Sequence, residues 1–244
     1  MKNVLNRGQR EFECLQAVRK FVSASNPTYS YLSMAVSNPN ASEFPDFLFD
    51  GGFIEHFQVT SAKETTKGDK HKITESKFEE NSQAEFDRIK QEFLNSEPCP
   101  GSLTTNVLEM ENPEYSYEYF LKSFKHNFEN HIKSLDKYNG DKSVSIFMVE
   151  YTGARITVLR NREFYKFDKI EYDKDLLSYL CEFKDKLKYL ICFWGDTQGD
   201  LNGKLSYEII EMSNVPELLQ KAPKDISFSV GRYTKQKLHI CLDL

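Results

Sequence analysis

Apolar residues recur along this chain with two different periods, and the switches between them mark out its elements. Over residues 8–24, Phe12, Leu15, Val18, Phe21 and Val22 fall at helical spacing, and Asn26 and Pro27 end the segment. Glu11 lies four residues before Leu15 and seven before Val18, so it shares their apolar face, whereas Glu13 points elsewhere. Residues 28–60 read as short strands. Within them, Asp50, Gly51 and Gly52 predict a tight hairpin turn, because glycine takes the positive φ such turns need. The turn joins a run ending in Phe47, Leu48 and Phe49 to a returning strand from Phe53 to Thr60.

Residues 61–81 are dense in charge, with Lys63, Lys67, Lys70, Lys72 and Lys77 set among acids, and predict a loop. Phe86, Ile89 and Phe93 predict a short amphipathic helix that Pro98 and Pro100 terminate, and residues 96–113 read as a connector. The longest stripe is Tyr117, Phe120, Leu121, Phe124, Phe128, Ile132 and Leu135, which predicts a helix over 114–138 stopped by Asn139 and Gly140. Residues 143–151 are apolar on both faces and predict a central strand. Thr152, Gly153 and Ala154 then predict a turn into a hairpin partner over 155–159. A helix over 175–186, a buried strand over 187–194 and a polar loop over 196–204 follow. Strands over 205–212, 226–230 and 237–242, with a short helix over 215–221, complete the chain.

No internal repeat or linker interrupts this order, so residues 1–244 read as one domain. Its 39% hydrophobic and 14% aromatic content suffices for a substantial core. The formal charge of −5 gives no global basic field, so any attraction to nucleic acid must come from a local patch. Cys14, Cys99, Cys181, Cys192 and Cys241 are odd in number and widely spaced, which fits a reduced, cytoplasmic chain without structural zinc. No apolar stretch is long enough to span a membrane, and the N-terminus lacks the apolar core of a signal peptide.

The candidate chemistry centres on Pro45 and Asp46. An acid in an apolar strand, facing polar groups of its hairpin partner, is costly unless something pairs with it, and a divalent cation would serve. The plainer reading is a turn aspartate after proline. Alternation puts Ile54, His56, Gln58 and Thr60 on one face of the partner strand, and Glu55, Phe57 and Val59 on the other. His56 reads as a hydrogen-bonded strand histidine, Glu150 as a capped strand-end residue, and the cysteines as buried. Lys125 and Lys133 read as surface residues, and Trp194 as core.

Helix with an inward Glu, strand with Pro45 and Asp46, hairpin turn, polar-bearing strand, long helix, central strand: this order resembles the PD-(D/E)XK, or restriction-endonuclease-like, nuclease superfamily. The resemblance implies an α/β fold with an αβββαβ core over about 8–151, a mixed sheet, and a C-terminal extension of strands over about 152–244. It implies a nuclease that hydrolyses DNA with Mg2+ or Mn2+, which hard oxygen ligands would hold. Asp46 matches the family's metal-binding Asp, and Glu11 the helix Glu that many members carry. The family's acid-x-Lys triplet is absent. In one alignment Gln58 takes the acid position, as in the Mrr-like branch, and Lys63 reaches back as a displaced lysine. In the other, Glu55 is the acid. The first leaves Phe57 and Val59 on the hydrophobic side. The catalytic set is then Asp46, Gln58, Lys63, Glu11 and Glu55, with metal ligands Asp46, Gln58 and Glu11. Lys67, Lys70, Lys72 and Lys77 would track phosphates. With no separate DNA-reading module recognised in the sequence, the analogy implies a small restriction-type enzyme or the effector subunit of a larger anti-phage defence assembly. Paired strand cleavage would imply a homodimer. The missing triplet leaves open a non-catalytic nuclease-fold subunit that binds nucleic acid or a protein partner.

Overall fold

The computed structural model describes residues 7–40, 43–63, 69–95, 105–154, 156–161, 163–167, 169–195 and 205–237. Helix α1 (Arg7–Phe21) and the short α2 (Tyr29–Met34) precede three strands, β1 (Val36–Ser37), β2 (Phe47–Phe49) and β3 (Gly52–Val59). Next come α3 (Asp69–Asn95), β4 (Thr105–Glu111), α4 (Tyr117–Lys137) and β5 (Val144–Tyr151). The remainder is β6 (Ile156–Arg160), β7 (Glu163–Lys166), α5 (Lys174–Leu180), β8 (Tyr189–Gly195), β9 (Leu205–Glu211), α6 (Val215–Lys221) and β10 (Ser227–Lys237).

Six strands form a mixed sheet in the order β1-β2-β3-β5-β8-β9. Its centre is parallel, β3 with β5 and β5 with β8, and its flanks are antiparallel. The central strands β5 and β8 are buried on both faces, which explains their long apolar runs. Alternation divides these side chains between two cores. Ile54, Ile146, Met148, Ile191 and Phe193 pack with Cys14, Leu15 and Val18 of α1 and Leu32 of α2. Phe53, Phe57, Phe147, Val149, Leu190 and Trp194 pack with the Phe120–Phe124–Phe128 stripe of α4. The second core also takes Ile156, Val158 and Val230 from an antiparallel sheet in the order β4-β10-β6-β7.

The predicted hairpin turn is present. Phe49 pairs with Gly52, and Gly51 has φ of 85°. Gly52 is held to glycine by crowding, since a Cβ there would lie 1.9 Å from the Val144 carbonyl oxygen. The helices predicted over 8–24, 114–138 and 215–221, and the strands over 143–151, 187–194 and 205–212, all form close to those bounds. The helix predicted over 175–186 forms as α5 followed by a 3-10 turn, Cys181–Phe183.

Several expectations fail for identifiable reasons. The charged segment 61–81 is no loop from residue 69 onward, because α3 begins there. The helix then runs on without a break through the short helix expected around Phe86, Ile89 and Phe93, where pairs three and four residues apart, Arg88 with Glu85 and Glu92 and Gln83 with Asp87, support it. One face of α3 is also anchored: Ser82 and Phe86 are buried, and the Arg232 guanidinium lies 5.2 Å from the Phe86 ring centre. The connector 96–113 contains β4, which pairs along β10 from Thr105 to Glu111. The hairpin between the central strand and residues 155–159 does not form, because β5 already has β3 on one edge and β8 on the other. Strand β6 instead joins β7 and β10 in the second sheet. The strand predicted over 226–230 runs on to Lys237 as β10, long enough to pair with both β6 and β4, and residues 238–242 of the strand predicted over 237–242 lie outside the described residues. Helix α2 replaces part of the predicted strand region, locked to α1 by Arg19, which donates to the Leu32 and Ala35 carbonyls. The predicted loop 196–204 lies outside the described residues. Among those residues, no helix is long and apolar enough to cross a membrane.

Candidate functional site

The parallel strands carry their polar residues toward their C-terminal ends, where open α/β sheets hold ligands. Gln58 of β3 and Glu150 of β5 sit side by side in register. Both point to the α1 face, since Ile54 and Met148, each an even number of residues away, pack there. Glu150 is 2% exposed and is the centre of a polar knot. Gln58 Nε2 donates to its Oε2 at 2.8 Å, and the Cys14 thiol approaches the same oxygen at 3.3 Å. Arg10 of α1 pairs with Oε1 and sends Nε to within 3.4 Å of Oε2. His56 Nε2 lies 3.5 Å from Oε2 yet has no hydrogen-bond partner, although the residue is only 5% exposed.

Burial alone would raise the Glu150 pKa. The contacts from His56, Arg10 and Gln58 outweigh it and hold the carboxyl down at about 2. Burial opposes the charge on Arg10 too, and the hydrogen bond to Glu150 more than restores it. Burial, then the Glu150 charge, pushes the Cys14 thiol far up, so the sulfur carries its proton. Among the described residues, the ligand atoms of Cys14, His56 and Glu150 all lie within 4.8 Å of one another.

Asp46 belongs to a different arrangement. It stands just before β2, after a cis peptide bond between Phe44 and Pro45, where β3 continues past its last pair with β2, Phe47 with Ile54. Its Oδ2 accepts the His56 backbone N–H at 2.7 Å, as the carbonyl of a paired strand would. Its own N–H donates to Glu55 Oε2 at 3.0 Å. Glu55 is buried, with Oε1 2.7 Å from Nδ1 of His131 on α4, whose ring stacks on Phe57 at 4.5 Å. The structure therefore joins Asp46 to Glu55 and Gln58 to Glu150. The hydrogen bonds that fix Asp46 and Gln58 run to different partners.

Of the other expected residues, Glu11 is 8% exposed on the buried face of α1, as its spacing predicts. Lys63 is exposed, and its N–H donates to the Glu114 carbonyl. Lys70, Lys72 and Lys77 lie on α3, with Lys77 exposed, and Lys67 lies outside the described residues. Arg10, Cys14, His131 and Glu150 were not anticipated as site residues. The signal for Glu150 was in the chain: it is the one charge within a strand buried on both faces, and such a charge requires a partner. Comparison with protein-family models, with curated proteins and with solved structures finds no match to this chain.

A separate buried carboxylate sets a pH dependence. Glu208 on β9 accepts the backbone N–H groups of Ile170 and Glu171, but burial dominates and pushes its pKa up to about 7. Burial likewise raises Asp173, the N-cap of α5, to about 6, against the bonds from Tyr117 and Leu176. Both folded values exceed the unfolded ones, so between about pH 7 and the normal carboxylate range the native state binds more protons. Stability is therefore expected to rise as pH falls from 7.5 to 5, by about 3 kcal/mol for Glu208 alone. Urea unfolding across that range measures it. Glu208→Gln should flatten the slope, and an unchanged slope would refute the assignment.

Proposed function

We propose that this chain hydrolyses phosphodiester bonds in DNA, with Asp46 and Glu55 as the carboxylates that hold a Mg2+ or Mn2+ ion. The observation that carries the reading is the hydrogen bond from the Asp46 backbone N–H to Glu55 Oε2, at 3.0 Å, which makes these two acidic residues neighbours where β3 outruns β2. A hard divalent cation takes oxygen donors, and carboxylates on two neighbouring residues, one just before β2 and one on β3, are a fitting set. Helix α1, strands β1 to β3, helix α4 and strand β5 follow one another in the order of the αβββαβ core of the nuclease resemblance, with α2 inserted after α1 and with α3 and β4 inserted before α4. Such an ion, when bound, activates water and offsets phosphate charge. The chain's part is to fix the acids. The His56 N–H holds one oxygen of Asp46, and His131 orients Glu55.

This choice takes Glu55 rather than Gln58 as the second ligand, because the hydrogen bond of Asp46 runs to Glu55 while that of Gln58 runs to Glu150. Incubation of the protein with plasmid and single-stranded DNA, in Mg2+ or Mn2+, tests it. Cleavage is expected from the wild type and from Gln58→Ala, and is expected to vanish in Asp46→Asn and Glu55→Gln. Absence of wild-type cleavage in either metal, or its survival in both acid variants, overturns the proposal.

One observation favours a second reading, a nuclease-fold subunit that binds without cutting. Arg10 already neutralises Glu150 beside Gln58, so at that position a fixed guanidinium does the work of a cation. DNA binding without cleavage, equal in the wild type and the acid variants, is its expected signature.

A further inference from the structure

We infer that Cys14, His56 and Glu150 form a binding site for a borderline-soft transition-metal ion, of which Zn2+ is the natural occupant. The site is distinct from the carboxylate pair proposed for Mg2+, and the inference stands whether or not the chain cuts DNA.

Three observations carry it. The first is donor type. A thiol sulfur, an imidazole nitrogen and a carboxylate oxygen converge within 4.8 Å of one another from α1, β3 and β5. Sulfur and imidazole together select Zn2+ and its neighbours over Mg2+ or Ca2+. The second is spacing. Tetrahedral zinc, with its usual bonds to sulfur, nitrogen and oxygen, places the donor atoms roughly 3.3–3.5 Å apart. Cys14 Sγ lies 3.3 Å and His56 Nε2 lies 3.5 Å from Glu150 Oε2. Two edges of the tetrahedron are thus already close to that length, and the third, from Cys14 Sγ to His56 Nε2, lies within 4.8 Å.

The third is the orphaned histidine. His56 Nε2 is buried, aimed at the cluster, and makes no hydrogen bond. A buried polar atom without a partner is costly and calls for an explanation. The Cys14 thiol and the Gln58 amide are satisfied by Glu150 alone, so a network of side chains accounts for them. It does not account for His56. A metal ion does, as the acceptor of its lone pair.

The surroundings suit such an ion. Arg10 grips Glu150 from outside, chiefly through Oε1 with a longer contact from Nε to Oε2 at 3.4 Å, and so orients the carboxylate whose Oε2 faces Cys14 and His56. The Asp46 carboxylate holds the His56 backbone N–H and fixes the residue that bears the imidazole. Gln58 is exposed and covers Oε2, which gives an entry route one side chain deep. On binding, the Cys14 S–H bond breaks, its proton goes to solvent, and the sulfur's electron pair forms the bond to the metal. Water or the Gln58 amide oxygen would complete four-coordination.

Cobalt substitution tests the site directly. The full chain, stripped with a chelator, is titrated with Co2+ and then with Zn2+. The wild type is expected to develop a thiolate-to-cobalt charge-transfer band, which Zn2+ abolishes and excess Mg2+ leaves unchanged. A variant with Cys99, Cys181 and Cys241 all changed to Ser should keep the band. Cys14→Ser should lose it, with folding checked by near-ultraviolet circular dichroism, and His56→Gln should weaken Co2+ binding by about tenfold or more. A wild type without the band overturns the inference, and so does loss of the band in the triple-serine variant.

Discussion

Replacing Phe128 by Ala is expected to lower the free energy of unfolding by about 3–5 kcal/mol. The side chain is fully buried on α4, facing the six-stranded sheet. Its ring meets Phe57 of β3 at 6.4 Å and Phe147 of β5 at 5.5 Å between centres. On the other side it meets Tyr179 of α5 at 5.9 Å and Phe183 of the following 3-10 turn at 5.2 Å. One ring thus ties the central parallel strands to both helices that cover them. Truncation removes apolar surface and leaves a cavity that rigid neighbours on four elements cannot close. Phe12→Ala is the matched control. That ring is 46% exposed on α1, and its loss should cost no more than about 0.5 kcal/mol. Urea unfolding of the two variants gives the comparison. A Phe128→Ala loss as small as that of Phe12→Ala would contradict the packing described.

The legible parts of this fold were the segments where one periodicity dominates. The α4 stripe and the apolar runs of β5 and β8 have a single burial solution each, so pattern sufficed. The hairpin was legible because Gly51 and Gly52 have few other uses at that spacing. What failed depended on partners distant in sequence. Strand β4 exists because β10, more than a hundred residues later, supplies its ladder. Strand β6 left β5 because two strands far apart in the chain had filled both edges of β5. The first part of α3 read as a loop because residues 61–81 carry many charges and few apolar positions to mark a helical face.

The site was legible in its components more than in its groupings. Asp46, Glu55, His56 and Gln58 were singled out from a stretch of 13 residues, and all four are engaged in the two polar arrangements described. Alternation correctly placed His56 and Gln58 on one face and Glu55 on the other. Which elements they meet was not readable. Pairing Gln58 with Glu150 requires the parallel register of β3 and β5, and no local pattern encodes a register between strands so far apart. Arg10 and Cys14 were hidden by a further condition, the packing of α1 across those strands.

Removing Glu150 is expected to be the most damaging single change near this cluster. In Glu150→Leu, Arg10 keeps a guanidinium with only 21% side-chain exposure and loses its carboxylate, while Gln58 loses its acceptor. Breaking a buried pair from one side costs about 3–5 kcal/mol, mostly through the charge left behind. The remedy follows from the same physics. Adding Arg10→Met to Glu150→Leu removes the stranded charge, and the double variant should recover most of the loss, giving a large coupling energy in the cycle. The acid limb carries an independent signature. Because Glu150 titrates at about 2 when folded, its contribution is present above the normal carboxylate range and is lost as pH falls from there toward 2. That is opposite in sign to Glu208, so the wild-type profile should peak in mildly acidic solution and fall steeply below it. Urea unfolding in chelator across pH 2.5–7.5 reads both limbs. The double variant should lack the steep acid fall while keeping the rise from 7.5 to 5. If Glu150→Leu alone proves nearly neutral, or the acid limb persists in the double variant, Glu150 is not the buried, paired anion that holds α1 to the ends of β3 and β5.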